Sequence, residues 1–443
     1  MLIEFAVENY KSIKERHTFS MIAANLKKHE DYLVSHSVFK NEKLLKVSAC
    51  YGPNAAGKSN VVNALACFHD IVVESGRLGA DDVVGPYTPF VLDNKTAQSP
   101  TSFSMEFICN GMRYLYEFSY NKDVIVKEGL YFFPTRKAKL FERNGDSFSF
   151  GQQFKGDKKA VEKMTRSNNL FLSRGAELRN ETLEEVHKYI KDKIIVYGNP
   201  TGYFNLFERT SIELLLNDEM GENNKKISEL LSAADVGVKR VGLEKSKREV
   251  PEGLLTSLAD GARDAFLSNT QYFPVTYHDV YHGDEVVGQE KFLLQSQESS
   301  GTQKLFYLAK FLLNVLNEGG VLIVDELDNS MHTFISEFII DLFNKEKTNP
   351  NNAQLLFTTH DVAMLTPDNF RKDQVWFASK NEKGESEFYS LVDFDSKTVR
   401  NDTKFDKWYR DGRFGAIPFI KKGVFEKFFA TESNEGKNGT KEA

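Results

Sequence analysis

The chain has 443 residues, too many for one compact core, so two or three domains or lobes are expected. Its 41% hydrophobic and 27% charged residues are ordinary for a globular protein. The formal net charge of −6 gives no global attraction to nucleic acid or anionic lipid, so any nucleic-acid surface has to be a local patch. The three cysteines, Cys50, Cys67 and Cys109, lack metal-ligand spacing, and their scarcity suits a reducing compartment. The longest apolar runs, such as Val321 to Val324 and Leu355 to Phe357, are strand-sized and predict no membrane span. The N-terminus carries an acid early and has no basic region ahead of it, unlike a signal peptide. A soluble cytoplasmic protein is expected.

Met1-Leu2-Ile3-Glu4-Phe5 reads as a strand that begins at once. A mostly apolar run from Leu44 to Cys50 then leads into Gly52-Pro53-Asn54-Ala55-Ala56-Gly57-Lys58-Ser59, and a helical stretch follows from Asn60 to Ala66. Strand, glycine-rich loop and helix in this order form a phosphate cradle. Loop N–H groups and the helix N-terminus face anionic oxygens. Lys58 can reach the β- and γ-phosphates, and the Ser59 hydroxyl can ligate Mg²⁺. A plain glycine-rich turn with a solvated lysine is the blander alternative.

Residues from about Pro86 to Phe150 read as an antiparallel meander. Phe103–Ile108, Tyr114–Phe118 and Gly129–Phe133 are short and aromatic-rich, and Asn110-Gly111 and Asn144-Gly145 supply hairpin signals. From about Lys155 to Asp260 the periodicity turns helical, at Ala160–Met164, Thr182–Ile190 and Ile212–Leu216. A mainly helical insertion is expected, without the sustained heptads of a coiled-coil arm. Within it Lys239, Arg240, Lys245, Lys247 and Arg248 make a local basic stretch, either a solvated face or a contact for nucleic-acid phosphates. His278 and His282 could share a strand face, but an ordinary edge or turn accounts for them.

Glu298-Ser299-Ser300-Gly301-Thr302-Gln303 precedes an amphipathic helix carrying Leu305, Leu308, Leu312 and Leu316. A Ser-Gly helix start gathers a hydroxyl, free N–H groups and the helix dipole, the elements of an anion site. Val321-Leu322-Ile323-Val324-Asp325-Glu326 is an apolar strand ending in two acids. Asp325 is placed to hold Mg²⁺, and Glu326 to orient and deprotonate an attacking water. Gln354–Phe357 leads to Thr358-Thr359-His360-Asp361, where His360 can contact the γ-phosphate or that water. The segment Thr431 to Ala443 has a disordered composition. The resulting division is residues 1–154 as the first part of an ATPase head with the meander, 155–285 as the helical insertion, 286–425 as the second part of the head, and 426–443 as a tail.

The hexapeptide at 298–303 resembles the signature of ABC-type ATPases, with Ser300, Gly301 and Gln303 in matching places, and His360 is similar to their switch histidine. His332 stands where transport ATPases carry an aspartate, a departure that resembles the OLD-like branch of the SMC and RecF group and leaves the roles of Asp328 and His332 open. Phe5–Ile13, Ala233–Val238, the signature form and Tyr409–Pro418 together resemble the stand-alone prokaryotic AAA-family ATPases of the AbiLi/RloA type.

The resemblance implies an α/β, ABC-type head: a mixed sheet with a P-loop core, an antiparallel β subdomain and a helical insertion. It also implies Mg²⁺-ATP bound by Gly52 to Asn60 and clamped in trans by Ser299, Ser300, Gly301 and Gln303 of a second copy, as a homodimer or higher oligomer. Family members sit in anti-phage systems, so a phage-protein trigger and a separately encoded effector, RloB-like or a Toprim nuclease, are implied partners. Two alternatives stay open. One is a RecF/SMC-like DNA-repair ATPase acting directly on DNA; the other is a non-hydrolysing nucleotide-binding scaffold.

Overall fold

The computed structural model describes residues 1–198, 211–218, 221–234, 237–247, 270–395, 399 and 403–418. Arg248 of the basic stretch, Asp235 and Val236 of the insertion motif, and the whole 426–443 tail lie outside these residues.

In chain order the strands and helices used below begin with β1 (Leu2–Glu8), β2 (His17–Ser20), β3 (Leu33–Ser35), β4 (Lys43–Leu45), β5 (Val47–Tyr51) and α1 (Lys58–Glu74). The meander follows as β6 (Thr101–Cys109), β7 (Met112–Tyr120), β8 (Ile125–Phe132), β9 (Ala138–Asn144) and β10 (Ser147–Phe150). Next come α2 (Lys158–Met164), α3 (Phe171–Glu177), α4 (Glu181–Lys193), β11 (Ile194–Tyr197), α5 (Glu222–Ala233), β12 (Arg240–Lys247), β13 (Thr270–His282) and β14 (Glu285–Leu293). The chain then forms α6 (Ser300–Glu318), β15 (Val321–Val324), α7 (Thr333–Asn344), β16 (Gln354–Thr358), β17 (Val375–Lys380), β18 (Ser386–Ser390) and α8 (Phe405–Arg410).

Two large sheets sandwich α1. The first is antiparallel, in the order β10-β9-β8-β7-β6-β1-β2. The second has the order β11-β15-β16-β5-β17-β18 and is parallel except at β18. Alternation along the strands sends β5 residues Val47, Ala49 and Tyr51 to one face, where they pack with α6 and α7. The opposite face meets α1, whose Phe68 ring lies 5.8 Å from Phe5 and 5.5 Å from Phe118 of the antiparallel sheet. Both faces of the parallel sheet are thus covered, which explains why β15 reads Val-Leu-Ile-Val and is buried at every position. Gln354 is fully buried and ties the sheets together: it accepts from Leu2 N–H at 2.6 Å and donates to the Leu2 and Leu45 carbonyls at 3.0 Å each.

Among the described residues of 155–285, helices α2 to α5 are accompanied by strands: β11 joins the parallel sheet beside β15, and β12 and β13 form an antiparallel sheet with β14, which starts where the segment ends. A four-residue strand such as Ile194-Ile195-Val196-Tyr197 is too short to show a period, and its β-branched composition was its only signal.

Candidate functional site

The parallel order brings the carboxyl ends of β5, β16 and β15 side by side, where an open sheet of this kind collects its functional loops. After β5 the chain turns through Gly52 to Gly57 and enters α1. Gly57 has φ of 108°, and a Cβ there would sit 2.1 Å from Ser386 Oγ, so both the backbone and the space require glycine. The loop is braced from two remote segments. Ser386 Oγ donates to the Ala56 carbonyl at 2.7 Å and lies 2.6 Å from Ser12 Oγ, which accepts from Asn60 Nδ2 at 2.6 Å.

Lys58 is only 4% exposed. Its ammonium donates to the carbonyls of Gly52 at 2.8 Å and Pro53 at 3.1 Å, and lies 3.4 Å from His360 Nδ1. Burial lowers its pKa, and the neighbouring carboxylates of Glu326 and Asp325 oppose the shift. Ser59 Oγ donates to Asp325 Oδ1 at 3.1 Å across 266 positions of sequence. Thr358 Oγ1 donates to the same oxygen at 2.6 Å and accepts the Glu326 N–H at 2.7 Å. One hydroxyl therefore orders both acids at the end of β15.

Glu326 has φ of 50°, a left-handed backbone that non-glycine residues rarely adopt outside constrained sites. Its Oε1 is 3.9 Å from His360 Nε2, and its Oε2 accepts from Asn329 Nδ2 at 3.3 Å. Burial, then the Lys58 charge, holds the His360 imidazole below its ordinary value. Asp328 accepts the His360 N–H at 3.2 Å, and His332 Nδ1 caps α7 by accepting the Phe334 N–H at 3.2 Å. Asp328 thus acts on the switch-like histidine, and His332 serves the helix start.

Asn54, Lys58, Ser59, Glu326, His360 and Lys380 line a cavity of about 330 Å³. Lys380 had no sequence signal beyond standing at the end of β17. Ser12 stood inside the opening motif, but its contact with the loop was not legible there.

The signature-like residues do not line this cavity. Ser299 and Ser300 are exposed at the start of α6, where Ser299 Oγ accepts the Thr302 N–H at 3.1 Å. The Gln303 amide donates to the carbonyls of Glu298 at 2.9 Å and Gln295 at 3.3 Å. Glu298 Oε1 is held 2.6 Å from His278 Nε2, so that histidine serves the entry to α6. At the start of the basic stretch Arg240 stacks 3.6 Å from the Tyr277 ring centroid, and Lys239 pairs with Asp279 at 3.8 Å.

Residues 47–366, well over half of the chain and spanning Lys58, Asp325, Glu326 and His360, match the family model described as "AAA domain, putative AbiEii toxin, Type IV TA system". The chain belongs to this AAA-domain family. Among solved structures, an SMC head bound to the C-winged helix domain of ScpA is similar at 13% identity, over 88% of this chain and 97% of that one, with a TM-score of 0.45. The SMC head domain from Thermotoga maritima is similar at 13% identity, over 88% and 98% of the two chains, with a TM-score of 0.39. No curated protein matches. Among the described residues no helix of this AAA-domain protein is long and apolar enough to cross a membrane.

Proposed function

We propose that the chain is an ABC-type ATPase that binds and hydrolyses ATP at an interface between two copies. The observation that carries this reading is the convergence of Lys58, Ser59, Glu326 and His360 from three adjacent parallel strands onto one cavity, with Asp325 held against Ser59 beside it. The Lys58 ammonium and the loop N–H groups bind and orient the phosphates. Ser59 and Asp325 form an oxygen-only donor pair around one point, the chemistry a hard cation such as Mg²⁺ takes; when bound, that ion would neutralise phosphate charge. Glu326 accepts the proton of the water that attacks the γ-phosphorus, and ADP departs with the bridging oxygen's electrons. His360, kept neutral, can hydrogen-bond the γ-phosphate or that water. The exposed Ser299-Ser300 turn is free to meet the nucleotide of a second copy.

Glu326→Gln tests the assignment. ATP binding should persist, turnover should vanish, and a closed assembly should accumulate in the presence of ATP. Unchanged turnover would remove Glu326 from the mechanism. From the AbiLi/RloA resemblance we infer a biological setting in which this ATPase is the sensor or motor of a defence system with a separate effector, a nuclease. Direct action on DNA is the competing assignment. DNA-stimulated hydrolysis that disappears on neutralising Lys239, Arg240, Lys247 and Arg248 would favour it, although the Lys239 and Arg240 side chains already have partners within the chain.

A further inference from the structure

Lys304 lies one helical turn beyond Ser300, on the same face of α6. It points away from solvent toward the loop that follows β15. Its ammonium donates to the carbonyls of Glu326 at 2.6 Å, Asn329 at 3.1 Å and Leu327 at 3.3 Å, which uses all three of its donors. A second contact sits beside it: a Cβ on Gly301 would lie 2.5 Å from the Ser330 carbonyl, so the first turn of α6 rests directly on the 326–330 backbone. The Glu326 residue is therefore held on both sides. Thr358 from β16 takes its N–H, and Lys304 from α6 takes its carbonyl. Such a clamp fits a left-handed backbone that would otherwise relax.

We propose that Lys304 is a positioning residue that fastens the signature turn to the Glu326 backbone, so that engagement of Ser300 by the nucleotide of a second copy is transmitted to the carboxylate within the same protomer. This inference rests on the ATPase reading. A shift of α6 by a fraction of an ångström moves the carbonyl that fixes Glu326, and misplacement on that scale is enough to slow a reaction that depends on alignment. The two composite sites of a dimer would then be linked through α6, each sensing the occupancy of the other.

The test compares the full chain with Lys304→Met and Lys304→Arg, measuring ATP affinity, kcat, KM and thermal melting. The expected result for Lys304→Met is a loss of about tenfold or more in kcat, with ATP affinity and KM little changed, as for an interaction made mainly in the transition state. Lys304→Arg, which keeps the charge and the donors, should recover part of the loss. Should the methionine variant fail to fold, Lys304→Gln serves the same comparison. Wild-type turnover that persists undiminished in the variants, or a loss shared equally between affinity and kcat, would overturn this inference alone. A wild-type chain that binds ATP but does not turn it over would overturn the ATPase reading and this inference together.

Discussion

Thr358→Val is the sharpest probe of the acid pair, because it changes shape very little and removes one oxygen. Thr358 is 2% exposed, and its Oγ1 serves Asp325 at 2.6 Å and the Glu326 N–H at 2.7 Å. A hydrogen bond to a carboxylate contributes about 1.5–3 kcal/mol, and a donor left without a partner on burial costs about 1–3 kcal/mol. Glu326 and Asp325 are only partly buried and water can replace some of this, so a combined cost of about 2–4 kcal/mol is expected. If about half of that acts on the alignment of the two acids, turnover falls roughly 5- to 30-fold, since about 1.4 kcal/mol is a factor of ten. Phosphate release under saturating ATP gives kcat, and binding of a non-hydrolysed ATP analogue gives affinity. Thr358→Ser keeps the oxygen and should stay close to wild type. Turnover of the valine variant within about twofold of wild type, or a serine variant as impaired as the valine one, would refute the role assigned to this hydroxyl.

Gly301→Ala should lower turnover while the fold survives, because the added methyl is forced against the Ser330 carbonyl; overpacking of this kind costs about 1–3 kcal/mol, and a fully active variant would contradict the close approach. Turnover should fall as pH drops below the ordinary histidine range, because His360 has a lowered folded value and is neutral at pH 7. Its stability contribution is full above about 6.5 and is lost as pH falls through the folded value, and a His360→Gln variant should lack this limb in a pH profile. On the alkaline side turnover should decline as pH rises through about 8, where burial brings the Lys304 ammonium amid Asp328, Glu326 and Asp325, and Lys304→Arg should abolish that decline. Away from the site, Glu128→Leu should destabilise the meander by about 3–5 kcal/mol in chemical denaturation, because it leaves the Arg143 guanidinium, 3.8 Å away and equally buried, without its carboxylate.

What could be read from the sequence was whatever is local. The loop from Gly52 to Ser59 is contiguous, the acids follow an apolar strand directly, and Asn110-Gly111 marks its hairpin with both residues at positive φ. Residues that complete the site from elsewhere left no trace of their roles. Lys304 looks like any polar residue on an amphipathic helix, and Ser386 like any strand serine, yet each makes contacts that only the folded sheet order creates. Gly301 carried a signal of the opposite kind. Its pattern pointed to a second copy, while in this fold the missing side chain also admits the Ser330 carbonyl of its own protomer.

The strand β11 changes how the insertion should be understood. Had residues 155–285 formed an appended helical domain, events there would reach the cavity only through a hinge. Instead Ile194–Tyr197 pairs in parallel with Val321–Val324, and the Asp325 N–H donates to the Tyr197 carbonyl at 3.0 Å. Through β11 the insertion thereby contacts the backbone of the residue assigned to the cation, while the first turns of α6, which follow β14, contact the backbone of the residue assigned as base through Lys304. Asp325 and Glu326 are adjacent in sequence and share the Thr358 hydroxyl, but the Asp325 N–H and the Glu326 carbonyl are held by different parts of the chain. A partner that displaced β11 would disturb Asp325 first, and one that displaced the β13–β14 hairpin, tied to Glu298 through His278, would act on the α6 side that holds Glu326. The two routes are separable by kinetics: the first should weaken the dependence on Mg²⁺, and the second should lower kcat at saturating Mg²⁺.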